Sequence, residues 1–294
     1  MITIDQLREY LEDARKGKYA IGHFNFATAD VLKAIVEGAK EAGAPCVMVG
    51  TSEGEADFIG MKEATSLVEA LQFDLHYPIF LNADHFKSFD KCKEAIDAGY
   101  DSVIIDGSKL PYKENIELTK KVVEFARPLF ATSVMRRKIS IEGELGYLKG
   151  SSEVQTKIEI SSADYSKPEE VADFVSRTGV DRMAVVFGNI HGIVTDQEEK
   201  LDIGYFSKIV AVEPRPYYVL HGASGLKDEN VSAAIKAGIV NVHFNTELRV
   251  AYRNAIDKAF HDNPNETTPY KYLGPAVEEV KKLVTAKIRL FMGK

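Results

Sequence analysis

The chain has 294 residues, of which 45% are hydrophobic, enough for one α/β barrel of about 250 residues with extensions. Its net charge is −7 and no segment is densely basic, which argues against a nucleic-acid partner, because such binding rests on clustered Lys and Arg. No apolar run reaches the roughly 18 residues of a membrane span, MITIDQLREY lacks the order of a signal peptide, and two cysteines, Cys46 and Cys92, are too few for a disulfide framework, so a cytoplasmic protein without membrane contact is expected.

Residues 3–17 read as a helix capped by Thr3, with Ile4, Leu7, Leu11 and Ala14 on one apolar stripe. Short apolar runs follow at 19–24, 46–49, 79–81, 102–105, 139–141, 183–187, 218–220 and 239–242. Each is continuous rather than alternating, as in parallel strands buried on both faces. Helix-forming stretches separate most of them, so the pattern predicts an α/β fold, a closed (β/α)8 TIM barrel with an N-terminal helix. A polar loop at 262–269 leads to a final helical extension at 275–290. The stretches AKEAGAPCVMVG (39–50), AIDAGYDSVIID (95–106) and AIKAGIVNVHFN (234–245) repeat one plan: helix end, Ala-Gly stop, strand. No linker interrupts the pattern, and 1–294 read as a single domain.

The polar residues cluster at one place in this scheme. His23, His85, His191, His221 and His243 fall at or just past the C-terminal ends of predicted strands, and in a barrel those ends form the face that carries active sites. Asp84 adjoins His85, Asp106 follows the fourth strand, and Glu142 and Glu144 follow the fifth. Three imidazoles with one open position make up many catalytic zinc sites, where the ion polarises a carbonyl or activates water. Spacing leaves both chemistries open, a metal-dependent hydrolase included. His191-Gly192 and the run HGASG at 221–225 bring small residues to the same face. There the backbone can approach a ligand and offer N–H groups to a phosphate.

The sequence resembles the class II, metal-dependent ketose-bisphosphate aldolases over nearly its whole length. The resemblance is carried by GHFNFATADVLKAIVEGAKEAGAP, LNADHFKSF, SVIIDGSKLPYKENIELTKKVVEFA, IEGELG, GNIHG, VLHGASGL, NTELRVAYRNAI and the final YLGPAVEEVKKLVTAKIRLF. It implies zinc held by His85, His191 and His221, with Asp106 and Glu144 as acidic residues beside the metal. It implies that Asp84 exchanges a proton with the C4 oxygen during C–C cleavage. Gly192, Gly222, Ala223, Ser224, Asn245 and Thr246 match the cradle for the phosphate of dihydroxyacetone phosphate, and Asn25 and Ser52 match further lining positions. The family also implies a monovalent cation near that phosphate, a small phosphorylated sugar as substrate, by default fructose 1,6-bisphosphate, and a homodimer or homotetramer. Nothing here resembles the paired His-x-His ligands frequent in hydrolytic barrels.

Departures from the family pattern concern the substrate. The family's loop after ELG carries an acidic pair, one member of which shuttles the C1 proton; here Ser151 and Ser152 take those positions and Glu153 is the nearest acid, so Glu153 is expected to serve. His243 stands where Asn is usual, Tyr270 where an Arg meets the distal phosphate, Gly50 where Gln is common and His23 where a small residue is common. Arg249, Arg253 or Lys271 would have to replace the lost cation. The alternatives are a relative that takes a different sugar phosphate, or a metal and sugar-phosphate binder with weak aldolase activity.

Overall fold

The computed structural model describes residues 4–127 and 139–294; Thr3, expected as a cap, lies outside them. Helix α1 (Ile4–Gly17) precedes strand β1 (Ile21–Asn25), and the chain continues through α2 (Ala29–Glu41), β2 (Val47–Ser52), α3 (Glu53–Ile59), α4 (Met61–Leu75), β3 (Ile79–Phe86), α5 (Phe89–Ala98), β4 (Ser102–Ile105), α6 (Tyr112–Ala126) and β5 (Ser140–Leu145). It then runs through β6 (Gly150–Gln155), α7 (Pro168–Thr178), β7 (Arg182–Val185), β8 (His191–Val194), α8 (Ile203–Val212), β9 (Tyr217–Leu220), α9 (Asp228–Ala237), β10 (Ile239–His243), α10 (Thr246–Asp262) and α11 (Pro269–Phe291). Strands β1, β2, β3, β4, β5, β7, β9 and β10 close into a parallel barrel, β1 pairing with β10. The expected (β/α)8 architecture is therefore present.

Leu7, Leu11 and Ala14 of α1 pack against Ile21, Met48, Phe80, Tyr217 and Val240 from the beginnings of five strands. The helix thus plugs the N-terminal end of the barrel and leaves the C-terminal end for chemistry. Helix α11 lies across α2 and α10. It begins at Pro269 rather than at Pro275, which lies inside it; proline suits a first turn because its missing N–H has no intrahelical partner there. Among the described residues no helix is long and apolar enough to cross a membrane.

The strands outrun the apolar runs that announced them. β3 carries Asp84 and His85 within it, and β5 carries Glu142 and Glu144 two residues apart, so these carboxylates stand inside the barrel rather than in loops beyond it. His23 likewise sits in the middle of β1, its Cα in register with that of His243. Barrel interiors are usually apolar, but here a polar layer crosses the lumen. The Arg182 guanidinium, with no exposed side-chain surface, bonds Ser140 Oγ at 3.2 Å, Asn241 Oδ1 at 3.1 Å, Asn82 Oδ1 at 3.0 Å and the Ser102 hydroxyl. The stretch after ELG, expected as a loop, contains β6, which pairs with β8 in a separate two-stranded sheet.

Candidate active site and metal centre

At the C-terminal mouth lies a cavity of about 430 Å³, a size common for small-molecule sites. His85 comes from the end of β3, where the register with β4 shifts between Ala83 and Phe86 and His85 adopts φ 53°. That left-handed conformation is unusual for a residue with a Cβ, and such strain concentrates at functional sites. His191 opens β8, and His221 follows directly on β9. The His85 ring centroid lies 4.8 Å from that of His191 and 4.5 Å from that of His221. One nitrogen from each of the three imidazoles falls within 4.8 Å of the others.

Carboxylates close around this cluster. His85 Nδ1 is 3.2 Å from Asp106 Oδ2 and 3.1 Å from Glu144 Oε2. Burial alone would lower the His85 pKa, but the charges of Glu144 and Asp84 hold it well above the usual imidazole range. Burial, with the neighbouring His85 and His221, pushes His191 down to about 3. Glu144 is raised by burial and by Asp106. Burial would raise Asp84 too, but His85 and His243 hold its carboxyl well below the ordinary aspartate value. Two more features fit a cation: Nδ1 of His221 and Oε2 of Glu144 are buried without hydrogen-bond partners. Neutral imidazole nitrogens and ionised carboxylates are zinc ligands, so a divalent ion here would take the place of the proton that Glu144 and Asp84 favour on His85.

Behind the cluster, His221 Nε2 lies 2.7 Å from Glu142 Oε1, and Glu142 Oε2 lies 2.7 Å from Arg182 Nη1. Burial raises the Glu142 carboxyl, but Arg182 and His221 outweigh it and hold it below its ordinary value. The His23 ring stacks on His243 at 3.7 Å, and His243 stacks on His221 at 4.3 Å. His243 Nδ1 stands 3.3 Å from Asp84 Oδ1. Burial first, then the facing imidazoles, lowers both His23 and His243 well below the usual range.

Next to the cluster, the turn after β9 and the start of α10 line the same cavity. Gly192 and Gly222 have φ 89° and 70°, and a Cβ on Gly222 would come within 1.9 Å of the Ile190 carbonyl oxygen, so glycine is required there. Asn245 occupies the N-cap position of α10 but does not cap it, because its Oδ1 accepts from the Asn25 N–H at 2.8 Å across the barrel closure. The helix start is left facing the cavity, an arrangement that favours anions.

The cavity gathers nearly every residue singled out from the sequence. Asn25, Ser52, Asp84, His85, Asp106, Glu144, His191, Gly192, His221, Gly222, Ala223, Ser224, His243, Asn245 and Thr246 all line it. Glu153 does not: it lies on the exposed strand β6, while its neighbour Ser152 lines the cavity and contacts Thr246 Oγ1 at 3.2 Å. Successive residues of a strand face opposite ways, so Ser152 turned inward puts Glu153 outward. Tyr270 is 75% exposed; Arg253 pairs with Asp257, and Lys271 with Glu266. Of the candidate replacement cations, Arg249 alone reaches the lining, joined by Lys87 and Lys109.

Glu55 was missed. It accepts from Asn25 Nδ2 at 2.9 Å and from Ser52 N and Oγ, both at 2.8 Å, and so orients two lining residues. The spacing of Ser52 and Glu55 is a capping box, a signal readable in the sequence. Arg182 and Asn82 had no comparable signal.

Fold and site together define a class: a (β/α)8-barrel enzyme whose polar mouth can hold a divalent cation beside a glycine-lined turn and a helix start. The family model for class-II fructose-bisphosphate aldolase matches residues 5–294. A fructose-bisphosphate aldolase of Staphylococcus epidermidis is 37% identical over 288 residues, covering 97% of this chain and 96% of its own. That of Geobacillus stearothermophilus is 35% identical over 293 residues, covering 99% of this chain and 97% of its own. The crystal structure of the YdjI aldolase from Escherichia coli K12 matches with a TM-score of 0.81 at 29% identity, over 97% of this chain and 96% of that one. The chain belongs to the class-II fructose-bisphosphate aldolases, a family of metal-dependent lyases.

Proposed function

We propose that this chain is a zinc-dependent aldolase that reversibly cleaves fructose 1,6-bisphosphate to dihydroxyacetone phosphate and glyceraldehyde 3-phosphate. The observation that carries the reading is the convergence of His85, His191 and His221 in one cavity with an Asp84 carboxyl held in its ionised form. These imidazoles would hold a zinc ion, which would supply a Lewis acid for the ketone and for the charge left at C3. Asp84 takes the C4 hydroxyl proton in cleavage and returns it in condensation. Asn25 Nδ2 donates to Asp84 Oδ2 at 2.8 Å and aims that carboxylate. Asp106 and Glu144, which stand beside His85, would hold a second or displaced ion. Gly192, Gly222, Ala223, Ser224, Asn245 and Thr246 cradle the phosphate of the dihydroxyacetone half, with Ser52 lining the approach. His243, which lines the cavity and stacks on His221, stands at the position where the family contacts the substrate through an Asn. Glu153 can carry the C1 proton only if β6 turns it inward. From the family we further propose a monovalent cation beside the phosphate cradle, a homodimer or homotetramer, and a cytoplasmic location.

A second reading keeps the reaction and changes the sugar. Tyr270 stands outside the cavity, and Lys87, Lys109 and Arg249 are the lining cations, so the distal end of the substrate meets a different charge arrangement.

The test is a cleavage assay on purified, zinc-loaded protein with a panel of ketose mono- and bisphosphates, coupled to detection of dihydroxyacetone phosphate. Fructose 1,6-bisphosphate should be cleaved, and chelator or His191→Ala should abolish the activity. Preference for another ketose phosphate would establish the second reading. No cleavage of any member by fully metallated protein would sink both.

A further inference from the structure

We propose that Arg182, at the floor of the barrel lumen, is a positioning residue for the metal centre, acting through Glu142 on His221. The inference rests on the reading of His221 as a metal ligand and extends it to a residue that touches neither ion nor substrate.

The side chains of Arg182 and Glu142 have no exposed surface, and the two residues are paired in register across β5 and β7. Glu142 Oε2 faces Arg182 Nη1 at 2.7 Å, and Oε1 faces His221 Nε2 at 2.7 Å. A carboxylate can only accept, so Nε2 of His221 must carry the proton and donate. The remaining nitrogen, Nδ1, is buried, has no hydrogen-bond partner and lies 3.9 Å from Glu144 Oε2, the oxygen that stands 3.1 Å from His85 Nδ1. The hydrogen bond to Glu142 therefore selects the tautomer that offers Nδ1 to a metal.

That selection depends on which way the carboxylate is turned. Arg182 cannot shift to follow a rotated Glu142, because Ser140 and Asn82 hold its Nε and Nη2 at 3.2 and 3.0 Å, and Asn241 holds Nη1 itself at 3.1 Å. The guanidinium is thus fixed to the barrel wall. Its charge, 2.7 Å from one oxygen of Glu142 in an ion pair rather than a hydrogen bond, attracts that oxygen so that the other meets the imidazole. A buried ion pair of this kind is weak evidence for stability, and its alignment on a ligand gives it a different use.

The experiment measures zinc affinity by chelator competition in wild type, His221→Ala, Glu142→Gln, Arg182→Met and the double variant, with cobalt(II) absorption as the spectroscopic readout. His221→Ala should lose the site; if it binds zinc as wild type does, the ligand reading itself fails. Given that loss, Arg182→Met and Glu142→Gln should each weaken zinc by about 10–100-fold and alter the cobalt(II) bands. In the double variant, Arg182→Met should add no more than about threefold to the effect of Glu142→Gln. Wild-type affinity in Arg182→Met, or an equal loss with and without Glu142, overturns the proposal. Should Arg182→Met leave an unpaired buried carboxylate that prevents folding, Arg182→Lys serves instead. It keeps a charge beside Glu142 and should bind zinc more tightly than Glu142→Gln, and affinity no better than that variant also overturns the proposal.

Discussion

A Cβ on Gly50 would sit 2.5 Å from Nε2 of His23, so the imidazole occupies the space that a side chain at position 50 would need. The two residues are diagonal neighbours on adjacent strands, Gly50 of β2 being in register with Asn25, two residues after His23 in β1, and His23 Nε2 is held in place 3.0 Å from Asn82 Nδ2. The large residue where the family has a small one, and the glycine where it has Gln, are therefore a single exchange of volume. Gly50→Ala should destabilise the fold by about 1–3 kcal/mol through overpacking. In a His23→Ala background that penalty should shrink to the part left by the 2.9 Å approach to Asn25 Oδ1. Urea unfolding of the four proteins gives the coupling, and independent, additive effects would contradict the exchange.

Asp84→Asn tests the acid–base assignment. The amide keeps the shape and the Asn25 contact but cannot take a proton, so kcat should fall by about 10²–10⁴ while zinc content stays at the wild-type level. Asp84 is not among the residues grouped with His85, His191 and His221 as one ligand set, which is why metal loading should survive. A loss below tenfold with full zinc occupancy would mean that another group moves the C4 proton.

The barrel was readable in the sequence because its strands are seeded by continuous apolar runs and its helices end in glycine turns, such as Gly99 and Gly238 with φ 104° and 129°. The polar strand positions were not. Asn82 and Asp84 in β3, Glu142 in β5 and Arg182 at the start of β7 lie outside the apolar runs while still pairing in the sheet, since a strand's hydrogen bonds are made by backbone whatever the side chain. The histidines were readable as a group by their placement past strands, and their assignment as ligands came from the family resemblance. Glu153 was misplaced because β6 exists only through its pairing with β8, a tertiary contact that the local pattern of GSSEVQ does not encode. Arg182 was invisible for a related reason: an arginine in a strand reads as a surface residue, and only the ring of partners inside the lumen makes it a buried one.

Arg249 is both a lining cation and a tether. Its Nη2 donates to the carbonyl oxygen of Ser152 and, at 2.8 Å, to Ser152 Oγ, so it binds β6 to α10 over the cavity. Arg249→Met should raise KM for the phosphorylated substrate by about tenfold, the order expected for losing a charge-assisted hydrogen bond. Tyr270→Phe, at an exposed position outside the cavity, should leave KM unchanged. The opposite ranking in steady-state assays would place the anion contact at α11 instead.

Glu199 supplies a pH dependence that lies apart from the proton transfers. Its Oε1 accepts from the Ile190 N–H at 2.9 Å, its Oε2 has no partner, and burial pushes its carboxyl up to about 8. In the unfolded chain the same group titrates near 4.5. Below 4.5 both states carry the proton and the full stability is present. Between 4.5 and about 8 the unfolded state has released it while the folded state retains it, so stability falls as pH rises, by at most about 1.4 kcal/mol per pH unit. Glu199→Gln keeps an acceptor for Ile190 and removes the titration. The stability of the variant relative to wild type should therefore climb between pH 4.5 and 8 and level off above. Taking the difference cancels the other ionisable groups, which the two proteins share. Denaturant unfolding of the metal-free proteins across this range reads it directly, and a constant difference would mean that Glu199 is not held protonated in the fold.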